Sequence, residues 1–188
     1  MILATNNKGK IEEIKKILNE YEIYSLKEKN IDIDVEEDQD TFVGNATKKA
    51  KEIYNISGEA TIADDSGLCI DALDGFPGVM THRFLGDVSD IERNEYLINE
   101  TNKHNNRSAK VVCNLVYYDG TNIIVGEGIL KGYISKERRG TNGFGFDEIF
   151  ELENGKTLAE LSPDEKNMVS ARAIAATDLK NKLKELVK

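Results

Sequence analysis

The chain opens on a strand, a polar turn and a helix in immediate succession, and that order confines it to folds in which α and β elements alternate. Ile2 to Ala4 is a short apolar run and Thr5-Asn6-Asn7-Lys8-Gly9-Lys10 a polar turn, after which Ile11, Ile14, Ile17 and Leu18 recur at helical spacing. The pattern continues with a strand at Glu22 to Leu26 and a helix from about Thr41 to Tyr54. Between them, Asp32 to Asp40 carries six acidic residues and reads as a solvated edge. Residues 60–73 alternate loosely, as paired strand segments do, and Asp74-Gly75-Phe76-Pro77-Gly78 is a loop dense in turn formers.

The second half is punctuated by sharper signals. Ser89 followed by Glu92 is a capping box that opens a helix through about Asn102, closed off by Asn105-Asn106. Ala109 to Tyr118 and Asn122 to Val125 flank Asp119-Gly120, a hairpin signal, and Leu130 to Ser135 continues the same sheet. Gly140 to Gly145 is a glycine-rich loop leading into Phe146 to Phe150. Ser162-Pro163-Asp164-Glu165 joins an N-cap serine to a proline at the first helical position and a glutamate at the third. Leu179, Leu183, Leu186 and Val187 give the last helix its apolar face.

At 188 residues with no internal repeat or linker, the expected organisation is one domain over residues 1–188, or two lobes sharing one core. Cys69 and Cys113 each lie in apolar runs and read as buried free thiols, as in a reducing compartment. The apolar run at the start is too short for a signal peptide and no eighteen-residue apolar stretch occurs, so a cytoplasmic protein without membrane partners is expected. Four Asn-x-Ser/Thr sequons, at Asn45, Asn55, Asn99 and Asn106, are then chance. A formal charge of -9 argues against nucleic acid as a partner, since such binding draws on a basic surface. It does not argue against a small anion held by a few local lysines, backbone amides and a bridging divalent cation.

Four segments carry chemistry. Ala63-Asp64-Asp65-Ser66-Gly67 follows the short apolar strand candidate Glu59 to Ile62, and two adjacent carboxylates at a strand end are costly unless a cation, a proton or solvent relieves them. Extended, they point to opposite sides, so only one faces a given ligand. Glu36 or Glu37 can supply a second carboxylate, and oxygen donors without a His or Cys cluster favour magnesium or manganese. The turn Thr5 to Lys10 aims amides, a hydroxyl and ammonium groups at one spot, an anion site in outline and not a P-loop. In Gly143-Phe144-Gly145-Phe146-Asp147 the glycines permit close backbone approach and Phe144 can stack on a planar base, whereas Phe146 and Phe150 serve equally well as core. Lys166 and Arg172 lie six residues apart, about 240° around a continuous helix, so both reach one ligand only if the helix breaks near Ser170.

Taken in order with Gly75-Phe76-Pro77-Gly78 and Glu165-Lys166-Asn167, these segments resemble the inosine triphosphate pyrophosphatase family. The resemblance implies an α/β fold with a long mixed central sheet, flanking helices, two lobes around a nucleotide-binding cleft, and a homodimer. It implies hydrolysis of inosine, deoxyinosine and xanthosine triphosphates to the monophosphate and pyrophosphate with magnesium. By position, Thr5, Asn7 and Lys10 match triphosphate contacts with Lys49 beside them, and Glu37 and Asp65 match the metal carboxylates. Asp65 also matches the general base, with Lys10 and Lys49 as its catalytic partners. Ser66 would contact substrate, Phe144, flanked by Gly145 and Phe146, would stack on the base, and Asp147, Lys166 and Arg172 would help to read it.

Three positions depart from the family pattern. Ala171 stands where Ser-His-Arg is usual, Gly44 replaces a glutamate in the Phe42-Val43-Gly44-Asn45-Ala46 segment, and Thr81-His82-Arg83 follows the Phe-Pro-Gly turn where Ser-Ala-Arg is common. One consequence to test is that His82 stands in for the imidazole missing at Ala171. The alternatives to the enzyme reading are a Maf-like pyrophosphatase of modified nucleotides and a nucleotide-binding module that has lost turnover.

Overall fold

The computed structural model describes residues 1–186 and contains a six-stranded mixed sheet with five α-helices. In chain order the elements are β1 (Ile2–Leu3), α1 (Lys8–Ile17), β2 (Tyr24–Ser25), α2 (Phe42–Ser57), β3 (Thr61–Ile70), α3 (Asp90–Thr101), β4 (Ser108–Tyr118), β5 (Ile123–Ile134), β6 (Phe150–Glu151), α4 (Pro163–Val169) and α5 (Ala171–Leu186). The strand order is β2-β1-β3-β4-β5-β6. The pairs β1–β2 and β1–β3 are parallel, and β5–β6 is antiparallel with Ile134 opposite Phe150. No helix among the described residues is long and apolar enough to cross a membrane. Cys69 and Cys113 are buried and unbridged, as expected.

Local signals fix the helix starts. Ser89 and Ser162 each accept from the backbone three residues on and are bonded in return by Glu92 and Glu165, so both capping boxes form where the sequence places them. Asn7 and Thr41 cap α1 and α2 through their side chains. The helical run breaks at Ser170, which is extended, with ψ 151°, between α4 and α5.

Two expectations change. Residues 60–73 are not paired strand segments. They form one ten-residue strand, β3, followed by a 3-10 turn at Asp71–Leu73, and every residue of β3 is buried. Asp64 and Asp65 therefore sit in mid-strand, not at a strand end. A strand covered on both faces loses the apolar–polar alternation that would have marked it. The strand expected at Asn122 to Val125 runs on to Ile134 as β5, so Leu130 to Ile134 continues the sheet as expected but within that one strand, and Ser135 lies past its end. In the last helix Leu179 and Leu183 are buried as expected and Leu186 is exposed, while Val187 lies outside the described residues.

The chain forms two compact units. The first comprises residues 1–66, 113–128 and 171–188, and the second residues 67–112 and 129–170. The core of the first unit gathers Ile2, Ala4, Leu26, Val35, Ala46, Ala50, Ile53, Ala63 and Val116. Within it α1 packs on α5. Close approach of β5 to α5 depends on glycine: a Cβ on Gly128 would lie 2.0 Å from the Ala171 carbonyl oxygen, and one on Gly126 2.3 Å from that of Ala175. In the second unit Phe150, Leu68, Ile70, Leu97 and Ile134 are among the most deeply buried side chains.

Candidate active site

The first unit gathers opposite charges around the middle of β3. Asp64 is fully buried and meets Lys10 Nζ at 2.9 Å and Arg172 Nε at 3.6 Å, both through Oδ2. Neither Asp64 oxygen accepts a hydrogen bond of good geometry from the described residues, so these contacts are ion pairs. Burial opposes its ionisation, but Lys10, Arg172 and Lys49 outweigh that and hold its carboxyl well below the usual carboxylate range. Arg172 also donates to Ser66 Oγ at 3.1 Å and to Glu13 of α1.

Asp65, next in the strand, looks the other way, as pleating requires. Its Oδ2 accepts from Asn45 Nδ2 at 2.9 Å and its Oδ1 from the Ser66 N–H at 2.9 Å. Burial pushes its carboxyl up to about 6, with Glu37 adding to the rise and Lys49 and Asn45 opposing it. Lys49, one helical turn beyond Asn45 on α2, donates to Glu37 Oε1 and to the Asp64 main-chain oxygen. Its own burial works against its charge, which Asp64, Glu37 and Asp65 together more than restore.

Register separates Glu36 from Glu37. Ile31, Ile33 and Val35 turn toward the first unit's core while Asp32, Asp34 and Glu36 are exposed, so Glu37 falls on the inward side. The alternation is visible in the sequence. Two carboxylates, Glu37 and Asp65, thus stand in one electrostatic neighbourhood, and both offer oxygen donors of the kind a hard divalent cation takes. No group of three or more Asp, Glu, His or Cys side chains converges among the described residues, so such a cation would complete its shell with water or ligand oxygens.

At the opening turn, Thr5 Oγ1 accepts from the Asn7 N–H at 3.2 Å, and Asn7 Oδ1 from the Lys10 N–H at 3.1 Å. The turn is thus held by its own side chains, with Asn7 exposed and Lys10 turned inward to Asp64.

The second unit brings together Phe144, Gly145, Phe146, Asp147 and Lys166. Asp147 Oδ2 accepts from the Phe144 N–H at 2.8 Å and from Lys166 Nζ at 2.6 Å, and that ammonium lies 4.5 Å from the Phe144 ring centroid. Both Asp147 and Lys166 are buried, so the pair is a desolvated one. Gly143 and Gly145 adopt φ of 79° and 63° on either side of Phe144, a backbone that side-chain-bearing residues rarely take. Phe150 is core, whereas Phe146 is only half-buried. His82 is exposed, and its Cε1 would lie 3.9 Å from a Cβ on Gly145.

The sequence-derived residues therefore fall into two groups, with Thr5, Asn7, Lys10, Glu37, Lys49, Asp65, Ser66 and Arg172 in the first unit and Phe144, Gly145, Phe146, Asp147 and Lys166 in the second. Arg172 is joined to Ser66, Asp64 and Glu13, all of the first unit. Sequence reasoning assigned no role to Asp64, Asn45 or Glu13, which fix Lys10, Asp65 and Arg172 respectively.

The pattern of the Ham1 family matches residues 1–182. The chain belongs to the Ham1 family. It is 41% identical over 195 residues to a dITP/XTP pyrophosphatase of Clostridium tetani, with 100% of this chain and 97% of that protein covered. A dITP/XTP pyrophosphatase of Bacillus subtilis is 41% identical over 185 residues, covering 95% and 93%. Among solved structures, a HAM1 protein from Coxiella burnetii superimposes with a TM-score of 0.89 at 35% identity, over 98% of each chain. The Ham1 protein of Staphylococcus aureus gives the same TM-score, identity and coverage.

Proposed function

We propose that this chain is a pyrophosphatase that hydrolyses dITP, ITP and XTP to the nucleoside monophosphate and pyrophosphate with a divalent cation, magnesium or manganese. The observation that carries the reading is the setting of Asp65: a buried carboxylate fixed by Asn45 and the Ser66 amide, with Glu37 and Lys49 beside it. The relationship to proteins named dITP/XTP pyrophosphatase over the whole chain supports it.

The fit of a metal to these residues is good. Glu37 and Asp65 are oxygen donors whose mutual repulsion a cation relieves, and among the described residues no His or Cys cluster offers nitrogen or sulfur ligands. Glu37 and Asp65 would hold the cation, which would supply charge neutralisation to the phosphates. Lys10 and Lys49 position the triphosphate by charge, aided by Thr5 and Asn7 at the turn before α1. Asp65 orients water for attack at phosphorus and takes up its proton. Ser66 contacts substrate, its hydroxyl oriented by Arg172. Phe144 stacks on the base and Asp147 with Lys166 reads its edge; adenine, with an amino group in place of the 6-keto oxygen, would leave such buried groups unpaired at about 1–3 kcal/mol each. Arg172 joins the base-reading set in this assignment. A homodimer is part of the same reading, and sedimentation measures it directly.

The test is pyrophosphate release with magnesium from ITP, dITP, XTP, GTP, ATP and dUTP, with Asp65→Asn as control. Fast release from ITP, dITP and XTP, reduced by about 10²–10⁴-fold in the control, is expected. Absence of release, or release insensitive to Asp65→Asn, overturns the proposal.

A further inference from the structure

Phe144 sits on a backbone with unusual freedom, because Gly143 and Gly145 flank it at positive φ. Such a segment presents a ring in one place only if its polar backbone groups are tied down. On one side the tie is Asp147, which accepts the Phe144 N–H. On the other it is Asn94 of α3, whose Nδ2 donates to the Gly145 carbonyl oxygen at 2.9 Å across 51 residues of sequence. Asn94 is 2% exposed, so the donor is buried, while the bond it makes to the half-buried Gly145 is part-buried.

Helix α3 is itself firmly placed within the second unit. The Ser89–Glu92 box fixes its start, and Arg93, adjacent to Asn94, donates to the carbonyls of Phe84 and Gly86 at 3.2 and 2.6 Å. Between the helix and the loop lies a cavity of about 140 Å³, lined by Asp90, Ile91 and Asn94 from the helix and by the loop from Thr141 to Gly145. Side-chain packing thus does not fill the space beside the loop. On the side facing α3, the directional hydrogen bond from Asn94 does the holding, while Asp147, Ala159 and Leu161 tie the loop elsewhere.

We infer that Asn94 is a specificity-determining positioning residue, which sets where Phe144 meets the substrate base by anchoring the Gly145 carbonyl to α3. The inference rests on the reading of Phe144 as the base-stacking residue. Asn94 touches no substrate, and it acts through the loop. Its loss frees the loop to move into the cavity and lowers the population of the stacking conformation, which weakens binding in proportion.

The experiment is steady-state pyrophosphate release from ITP with magnesium for the wild type, Asn94→Ala, Phe144→Ala and the double variant. Asn94→Leu, which keeps side-chain volume and removes the donor, guards against a folding defect in the alanine variant. Asn94→Ala and Asn94→Leu are each expected to raise KM about tenfold with kcat within about twofold of wild type. In the Phe144→Ala background the further effect of Asn94→Ala should fall below about twofold, because the two residues act as one unit. Unchanged KM in both Asn94 variants, a loss confined to kcat, or full additivity with Phe144→Ala overturns the inference while leaving an active wild type and its function intact. A wild type that releases no pyrophosphate overturns the function and this inference together.

Discussion

Asn45 Nδ2 donates to Asp65 Oδ2 at 2.9 Å, and both residues are buried. The bond joins the first turn of α2 to the middle of β3, and Asn45 Oδ1 is occupied in turn by the Gln39 N–H at 2.9 Å. A single amide therefore orients the carboxylate assigned as general base and fastens the segment that delivers Glu37. Replacing Asn45 by Ala leaves the buried Asp65 Oδ2 short of a partner, a cost of about 1–3 kcal/mol, and releases the Gln39 N–H, which belongs to an exposed residue. The expected result is a kcat reduced about tenfold or more, with a lower urea midpoint. Kinetics with ITP and urea titration of Asn45→Ala check both, and wild-type kcat in the variant would refute the orienting role.

Asp64 is the structural counterpart to its neighbour. It lies between Lys10 and Arg172, each only 8% exposed, so its removal leaves buried cations with lost countercharge. Breaking such an arrangement costs about 3–5 kcal/mol, a fall of roughly 6–20 °C in Tm. Asp64→Asn should show it by calorimetry. Adding Lys10→Met should return part of the loss, since a charge is then no longer stranded; a double variant as unstable as the sum of the singles would argue against the pairing.

The glycine loop offers a paired comparison. A Cβ on Gly143 would lie 2.1 Å from Asp147 Oδ2, while one on Gly155 meets nothing within 4 Å, and the two glycines share φ near 80°. Gly155→Ala therefore bears only the backbone cost of about 1–2 kcal/mol. Gly143→Ala bears that cost and also displaces the carboxylate that holds Phe144 and Lys166. Thermal melts should rank Gly143→Ala below Gly155→Ala, and only the former should raise KM for ITP.

Cys113 is fully buried and its thiol is pushed up to about 12, mainly by burial; Cys69 is buried and raised for the same reason. Thiolate is the reacting species, so neither should react with a thiol reagent in the native protein. Both should react promptly in denaturant. Rapid native labelling at either position would show that its packing opens readily.

Legibility from sequence tracked the distance over which each cause acts. The capping serines Ser89 and Ser162 and the Asp119-Gly120 turn act within a few residues, and all were placed correctly. The break at Ser170 was legible only as a condition, since helical geometry demands it if Lys166 and Arg172 share a ligand and not otherwise. The inward position of Glu37 was written in the alternation of Ile31, Ile33 and Val35 but needed a core to define inward. Asn45, Asn94 and Glu13 were missed because their partners stand 20, 51 and 159 residues away, and nothing local to an Asn or a Glu marks such a bond. β3 was misread because burial on both faces erases the period-two signal.

The acid limit of stability should carry the mark of Glu28. Its carboxylate accepts from the Ser25 N–H at 2.6 Å and the Ser25 hydroxyl at 2.7 Å, and pairs with Lys15 at 3.0 Å. The Ser25 amide, then its hydroxyl and Lys15, lower its pKa from 4.5 to about 2. A carboxylate depressed in the folded state contributes stability that is complete above its unfolded pKa and is lost as pH falls toward the folded one. The difference in urea midpoint between wild type and Glu28→Gln should therefore be constant from pH 7 to about pH 5 and shrink steadily below that, the unfolded pKa being about 4.3. A difference that stays constant down to pH 3, or that grows with acidification, would show that Glu28 is not the group titrating.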